Sequence, residues 1–457
     1  MAKPKYTIPV RPGDTLELDI ETQGSSGDGI AHHEGYTLFV PGALPGDHVR
    51  GRVTQVTPRF GVLVPGEWVE RSPFRISPDC PAFPACGGCK FQDLNYDRQI
   101  EFKVQVLADA LKHIGKLGGL PPIRPVPAGQ IFEYRNKVLF AVQMRGGKLR
   151  IGFYRHNTHE VIDSDTCNVC FPAINEAKEW IRHLLEKHRV SIYNERKHKG
   201  FLRGLAIRHS RETGETLIGF VTTAGQFSTA FLKEFSSPEM QNRFGITGVV
   251  QNINRQTTNV VFGPGNHLLH GENRYREILG SLQFDLSLTS FFQVNPAQAV
   301  KLYDLAGEWA SPVAGGAIDA YSGAGGIALW LARTGKKVVG IEEFPPAAQN
   351  AGHNANLNHL TSCSFLEGSV EHHLADLLQG SEWGTVILDP PRKGCSEEVL
   401  ARLCESGPQQ IVYISCNPST LARDLARLER YQLRETVMVD MFPQTPHVES
   451  AVRLQRL

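Results

Sequence analysis

Cys416 stands in Ser415-Cys416-Asn417-Pro418-Ser419, directly after the apolar run Gln410-Ile411-Val412-Tyr413-Ile414, which reads as a buried parallel strand. In an open α/β sheet, ligands bind outside the carboxyl ends of the strands. A cysteine leaving a strand at that edge is a candidate nucleophile. Two other chemical groups leave strands in the same way. Thr385-Val386-Ile387-Leu388 ends in Asp389-Pro390-Pro391-Arg392, and Ala317-Ile318-Asp319-Ala320-Tyr321 breaks into Ser322-Gly323-Ala324-Gly325-Gly326. Cysteine, aspartate and glycine loop are therefore expected to converge on one crevice.

An Asp-x-x-x-Gly-x-Gly turn after a strand lets backbone approach a nucleoside, and the helix amino terminus behind it supplies partial positive charge. A dinucleotide fingerprint would carry a third glycine, which Gly323-Ala324-Gly325-Gly326-Ile327-Ala328 lacks. Glu342 closes the next strand, 19 residues after Gly323, where an acid can accept hydrogen bonds from ribose hydroxyls. Alone, the loop could be a tight turn in any α/β protein. With the spaced acid and Asp389-Pro390-Pro391 it favours S-adenosylmethionine over NAD.

A second constellation is Cys80-x5-Cys86-x2-Cys89, in a Pro/Gly-rich loop, with Cys167 and Cys170 far downstream. Three cysteines so close together in a chain without an export signal point to metal binding in a reducing cytoplasm. A four-thiolate zinc site from Cys86, Cys89, Cys167 and Cys170 is one reading, although the separation exceeds the ~15–20 residues of a zinc ribbon. An iron–sulfur site from Cys80, Cys86, Cys89 and one later thiolate is the other. Spacing leaves both open.

The elements that must position these groups fall into a multidomain chain. With 457 residues it is too long for one core. Leu16–Ile20, Tyr36–Val40 and Val49–Val56, punctuated by Pro-Gly turns, suggest a small oligonucleotide-binding-like β-barrel. Prolines 73, 78, 81 and 84 mark a linker. Asp97–Leu117 has helical periodicity, with Ile100, Val104, Leu107 and Leu111 on one face. Strands at Lys137–Val142, Leu149–Tyr154, Leu205–His209, Thr216–Thr222 and Val249–Asn254, with a helix at Pro172–His188, suggest an α+β middle domain. After Ser290, strand-helix alternation predicts a doubly wound parallel sheet. The domain bounds are set at 1–72, 73–284 and 285–457. Net charge is +1 overall, yet residues 281–457 carry 13 Lys/Arg against 19 Asp/Glu, which leaves the first part basic and suited to a polyanion. The densest basic stretch is Arg182–Arg208, with eight Lys/Arg against two Glu; a solvated face is the plain alternative. No run approaches the ~18 apolar residues of a membrane span, and Met1-Ala2-Lys3-Pro4-Lys5 opens no signal peptide. A cytoplasmic protein is expected.

Taken together, the motifs resemble the S-adenosylmethionine-dependent RNA 5-methyluridine methyltransferases, in particular the 23S ribosomal RNA branch with an iron–sulfur cluster. Residues 6–66 resemble a TRAM domain, including Gly29-Ile30-Ala31 and Phe39-Val40-Pro41-Gly42-Ala43-Leu44-Pro45-Gly46-Asp47. The family's Cys-x5-Cys-x-x-Cys matches Cys80, Cys86 and Cys89, and its Asp-x-Cys matches Asp165-Thr166-Cys167, which implies Cys167 as the fourth ligand of a [4Fe–4S] cluster. Tyr134-Arg135-Asn136-Lys137, Phe291-Phe292-Gln293-Val294-Asn295, Asp389-Pro390-Pro391-Arg392, Ser415-Cys416-Asn417-Pro418 and His447-Val448-Glu449-Ser450 complete the match. The resemblance implies a class I methyltransferase domain with Gln293, Tyr321, Gly326, Glu342, Ser369 and Asp389 on S-adenosylmethionine. Gly326 and Ser369 depart from the residues the family often has there. It also implies RNA, as 23S rRNA, for the partner, no membrane partner, and a monomer.

Carbon 5 of uracil is too weak a nucleophile to take a methyl group from a sulfonium directly. A thiolate added at carbon 6 turns the ring into an enolate whose carbon 5 can attack. Cys416 is expected to supply it, and the resemblance assigns removal of the carbon 5 proton to Glu449. The alternatives are 5-methyluridine formation in the T-loop of tRNA, whose bacterial enzymes usually lack the TRAM and cysteine segments, and a non-catalytic RNA-binding protein, against which Cys416 and Glu449 both argue. A DNA cytosine methyltransferase would carry its cysteine in a Pro-Cys motif, absent here.

Overall fold

Period-two alternation shapes the start of the chain. In the computed structural model, which describes residues 8–257, 261–380 and 382–457, the strand His48–Val56 turns Val49, Gly51 and Val53 inward and its polar residues outward. Six strands form one sheet, ordered Thr15–Asp19, His48–Val56, Phe60–Glu70, Tyr36–Val40, Gly29–His33 and Thr22–Gln23. The two edge strands are consecutive in sequence, so the chain carries the sheet round on itself into a small barrel. Leu18, Ala31, Leu38, Val49, Val53 and Leu63 fill it. Asp47 is buried in the Pro45-Gly46-Asp47 turn. Its carboxylate accepts the backbone N–H groups of Leu44 and Ser72 at 2.6 and 2.8 Å and the Arg75 guanidinium, which ties the barrel to the proline-rich linker. Residues 1–7 of the expected first unit lie outside the described residues.

A second sheet has seven strands, ordered Val161–Asp163, Lys148–Tyr154, Lys137–Arg145, Leu202–His209, Thr216–Thr222, Ile246–Ile253 and Gly265–Gly271. The helix Pro172–Lys187 starts on its proline, whose missing N–H costs nothing there. It packs Ile174, Ala177, Ile181 and Leu185 into one cluster with Phe220, Phe231 and Phe235.

The third sheet has eight strands: Cys363–Glu367, Val338–Glu342, Gly316–Asp319, Trp383–Leu388, Gln410–Ser415, Glu449–Arg456, Tyr431–Val439 and Ile123–Val126. The first five are parallel, and Glu449–Arg456 enters antiparallel. Two apolar clusters flank the sheet, which is the doubly wound arrangement. No helix among the described residues is long and apolar enough to cross a membrane.

Two segments inside the 73–284 bounds pack with this third sheet rather than with the second. Ile123–Val126 is its edge strand, paired with Tyr431–Val439. The helix Tyr96–Asp109 sets Ile100 and Leu107 into one cluster with Leu421, Met438 and Val452. In addition, the hairpin Arg274–Leu279/Leu282–Ser287 straddles residue 284 and buries Tyr275, Leu279 and Phe284 with Leu302, Trp309 and Trp330. A 3.6-residue period reveals that a helix has an apolar face, not which sheet covers it.

The same helix also turns a charge inward. Lys103 and Asp440 side chains are both 0 % exposed and meet at 2.5 Å. Tyr96 donates to the other Asp440 oxygen at 2.7 Å, and Lys103 also donates to the Phe442 carbonyl at 2.9 Å. Burial pushes the Lys103 pKa down, and Asp440 opposes it. Replacing Lys103 by Met should strand a buried carboxylate and cost about 3–5 kcal/mol in a denaturant titration. Adding Asp440→Leu should recover most of that loss. A single-variant cost like that of an exposed ion pair, under about 1 kcal/mol, would show that the pair is not structural.

Candidate active site

The local chemistry of Ser-Cys-Asn-Pro builds a corner. Every residue of Gln410–Ser415 is buried. Ser415 Oγ accepts the Asn417 N–H at 3.1 Å, Asn417 caps the next helix by accepting the Ser419 N–H at 3.1 Å, and Pro418 begins that helix, Pro418–Leu425. Cys416 is left half-buried at the turn, in front of a helix amino terminus whose partial positive charge favours a thiolate.

Glu449 faces the same corner from the neighbouring strand. Ser415 pairs with Ser450 in the antiparallel register, and Ser450 Oγ donates to the Ser415 carbonyl at 3.1 Å, so Glu449 is the residue opposite the cysteine end. Asp389 follows Leu388, which pairs with Tyr413. All three acidic or thiol groups line one crevice of about 810 Å³. Glu449 is 3 % exposed; burial, then Asp389, pushes its carboxyl well above the usual range, with Arg392 opposing. Burial also lifts Asp389 to about 7. For Cys416, burial followed by Glu449 and Asp389 raises the thiol pKa, and Arg392 pulls it back.

At the other end of the crevice, Gly323 takes φ 54° and Gly325 φ 90°. A Cβ on Gly325 would stand 2.6 Å from Leu329, so this turn requires glycine. Glu342 accepts the N–H groups of Gly323 and Phe344, both at 2.8 Å, and thereby holds the loop it was expected to face. Asp319 accepts the Ala328 N–H at 2.9 Å, and burial lifts its carboxyl to about 7. Gln293, Tyr321 and Glu342 line the crevice with Asp389. Gly326 and Ser369 do not line it: Gly326 packs against the Tyr303 hydroxyl, and Ser369 caps the helix Val370–Leu377. Asn136 of Tyr-Arg-Asn-Lys donates its N–H to the Val294 carbonyl at 3.0 Å and its side chain to Glu277 at 3.0 Å. That motif thus fixes the segment bearing Gln293.

Arg392 closes the motif Asp389-Pro390-Pro391-Arg392. In the fold it is the cation beside Cys416 and Glu449. The helix after the nucleophile fixes its backbone, since Asn417 and Thr420 donate to the Arg392 carbonyl at 3.1 and 3.2 Å. Asp424 accepts the Cys395 N–H and the Tyr413 hydroxyl at 2.9 and 2.6 Å. A charged residue closing Asp-Pro-Pro-Arg was the available signal.

Cys80, Cys86, Cys89 and Cys167 line a separate cavity of about 50 Å³ with Phe83, Tyr134, Phe140 and Phe153. Burial pushes Cys89 up to about 12, whereas a hydrogen bond from Cys170 draws Cys167 down to about 7. Cys170 itself is 1 % exposed and does not line the cavity. Among the described residues, no three His, Cys, Asp or Glu side chains converge closely enough to hold a single metal ion. All four thiols line that one cavity, a donor set of the kind that zinc or iron–sulfur groups take.

Comparison with known proteins matches residues 280–457 to a family model described as tRNA (uracil-5-)-methyltransferase and residues 9–62 to the TRAM domain. An uncharacterized RNA methyltransferase of Clostridium acetobutylicum is 37% identical over 98% of this chain and 99% of its own. Another, of Halalkalibacterium halodurans, is 36% identical over 99% of both chains. The crystal structure of Pyrococcus abyssi tRNA (uracil-54, C5)-methyltransferase in complex with S-adenosyl-L-homocysteine is similar over 96% of this chain and 99% of that one, with 32% identity and a TM-score of 0.79.

A thiol pKa above its ordinary 9.0 leaves little thiolate at neutral pH. Iodoacetamide alkylation of Cys416, followed by peptide mass spectrometry, should therefore keep accelerating beyond pH 9. Arg392→Gln, which removes the charge that opposes the rise, should move the curve to still higher pH. A plateau already reached near pH 7 would contradict the crowding of Cys416 by burial and two carboxylates.

Proposed function

Because the chain belongs to the TRAM-bearing RNA uracil-5-methyltransferase family, we propose that it methylates carbon 5 of a uridine in 23S rRNA through a covalent bond from Cys416 to carbon 6. The observation that carries this reading is the facing of Cys416 and Glu449 across two strand ends in one crevice, beside Asp389. S-adenosylmethionine supplies an electrophilic methyl group. Gln293, Tyr321, Glu342 and Asp389 are the residues that line the crevice to hold it; Gly326, against Tyr303, and Ser369, at a helix cap, stand beside that lining. The Cys416 thiolate pair forms the bond to carbon 6 and displaces the C5=C6 π pair toward carbon 5, which takes the methyl group as the sulfonium carbon–sulfur bond breaks and S-adenosylhomocysteine is left. Once carbon 5 carries the methyl group, the Glu449 carboxylate takes the remaining carbon 5 proton, the ring double bond reforms, and the carbon–sulfur pair returns to Cys416. A carboxyl with a raised pKa is a stronger base once ionised.

A uridine must leave its stack to reach such a crevice, which suits loop or single-stranded RNA held by the barrel and the basic first part of the chain. The joint presence of TRAM and cysteine quartet supports 23S rRNA. A second reading, the T-loop uridine of tRNA, is favoured by one observation: the similar Pyrococcus abyssi enzyme is named for uracil 54 of tRNA. Mapping 5-methyluridine across total RNA from a strain lacking this gene distinguishes the two by which RNA loses the mark.

For the cysteine cavity we propose a [4Fe–4S] cluster on Cys80, Cys86, Cys89 and Cys167, supported by four thiols around one enclosed, aromatic-lined space. Its part is in folding and RNA binding.

Three experiments test these assignments. With RNA containing 5-fluorouridine, which has no removable carbon 5 proton, the parent protein should form an adduct that survives denaturing electrophoresis, and Cys416→Ala should form none. On ordinary uridine, Glu449→Gln should transfer the methyl group and then stall as a methylated adduct on Cys416; release of free 5-methyluridine at the parent rate would exclude Glu449 as the base. Anaerobically purified protein should be brown with about four irons per chain. Cys167→Ser should lower that content and Cys170→Ser should not, while colourless protein with stoichiometric zinc would decide for a zinc site.

A further inference from the structure

The densest basic stretch contains, in the fold, cations that are already engaged and an exposed run that is not. Arg182 is paired with Asp163 and Glu179, Lys187 with Glu234, and Arg208 is 1 % exposed. Arg196, Lys197, His198 and Lys199 instead stand exposed in a row on one hairpin, and among the described residues none of them has an acidic partner. Glu195, the acid of this hairpin, is engaged elsewhere: it accepts the Tyr154 hydroxyl at 2.9 Å and meets His159 at 3.0 Å.

The tip is shaped in advance. Asn194 Oδ1 accepts the N–H groups of Arg196 and Lys197 at 3.1 and 3.0 Å, and the Asn194 N–H donates to the Lys199 carbonyl at 2.7 Å. His198 is held at φ 50°, a left-handed conformation that is strained for a residue with a side chain, by a 3.1 Å bond between its Nδ1 and the Tyr193 hydroxyl. Gly200, at φ 112°, passes so close to Ile192 that a Cβ would lie 2.2 Å from its carbonyl oxygen. Because the backbone of the turn is preformed, Arg196, Lys197 and Lys199 give up only side-chain freedom when an anion arrives.

The placement connects the hairpin to the reaction crevice. Tyr154, on which Glu195 docks, accepts the Gly87 N–H at 2.9 Å beside Cys86. Gly87 and His156 wall a groove of about 1000 Å³ that extends to His447, and His447 also walls the catalytic crevice. A strand whose target base occupies the crevice can follow this groove toward the hairpin.

We propose that the Asn194–Lys199 hairpin is a phosphate-binding anchor for RNA flanking the target uridine. With RNA as the substrate, as proposed above, the anchor contacts the sugar–phosphate backbone and adds affinity without reading sequence. The test uses the full-length protein with Arg196→Gln, Lys197→Gln and Lys199→Gln combined, and the in vitro transcript found to carry the mark. Binding should weaken about tenfold at ~0.1 M salt, and the slope of log affinity against log salt should fall by about 2. KM for RNA should rise while kcat at saturating RNA stays unchanged. A charge-keeping variant, Arg196→Lys with Lys197→Arg and Lys199→Arg, should bind as the parent does. Unchanged affinity and slope in the neutral variant would overturn the anchor and leave the hairpin to an acidic protein partner or to solvent. Failure of the uridine reading would look different, because the parent itself would then form no adduct with 5-fluorouridine RNA.

Discussion

The ion pair between Lys103 and Asp440 lies where water cannot screen it, and the segment it holds leads directly to Glu449. Neither charge is tolerable there without the other, so helix Tyr96–Asp109 and the chain from 440 to 447 must fold as one unit. Gln99 and Gln444 extend that unit through reciprocal hydrogen bonds of 3.1 and 3.0 Å. Gln444 is itself in the left-handed region at φ 69°, and its carbonyl accepts the N–H groups of both Lys90 and Phe91. Tyr134 adds a bond to the Pro443 carbonyl at 3.0 Å. The cysteine-bearing loop, the middle sheet and the last strand therefore meet on eight residues just before the proposed base. Distance along the chain hides this; the cysteine cavity is far from Cys416 in sequence and shares a support with it in space.

At the strand ends that form the crevice the electrostatics work against stability. Asp319 and Asp389 are lifted to about 7, and Glu449 higher than the usual carboxyl range, chiefly by burial. Raised carboxyl pKa values mean that folding favours their protonated forms, so stability from these groups is greatest at low pH and declines as pH rises through the folded values. A fold selected for stability alone would replace them by amides or apolar residues. Their persistence beside a crowded thiol and one exposed guanidinium marks this as a site arranged for proton and methyl chemistry rather than for packing.

How much of this was legible beforehand follows from how local each signal is. Ser415, Asn417 and Pro418 announce a strand end, a cap and a helix start within four residues, so the corner that presents Cys416 could be read directly from the order of residues. The barrel alternation and the glycine loop are equally local, and so is the four-thiol spacing once a family pattern is matched to it. Gly326 and Ser369 show the limit: Gly323 and Val370 line the crevice, but the contacts of Gly326 and Ser369 go to Tyr303 and to the cap of the helix Val370–Leu377, and no periodicity distinguishes those outcomes.

The amino-acid sequence by itself determined the chemistry on offer: a cysteine, two acids and a glycine loop at carboxyl strand ends, a small barrel before them, and four thiols between. Only the tertiary structure decided which of these meet. It placed Glu449 opposite Cys416 by the register of one antiparallel pair, moved residues 96–109 and 123–126 onto the third sheet, and set Arg392 against the thiol by clamping its carbonyl from the following helix. The physical reason is that caps, turns and periods arise between neighbours in the chain, whereas burial of charge and the choice of packing partner depend on surfaces that exist only after distant segments have come together.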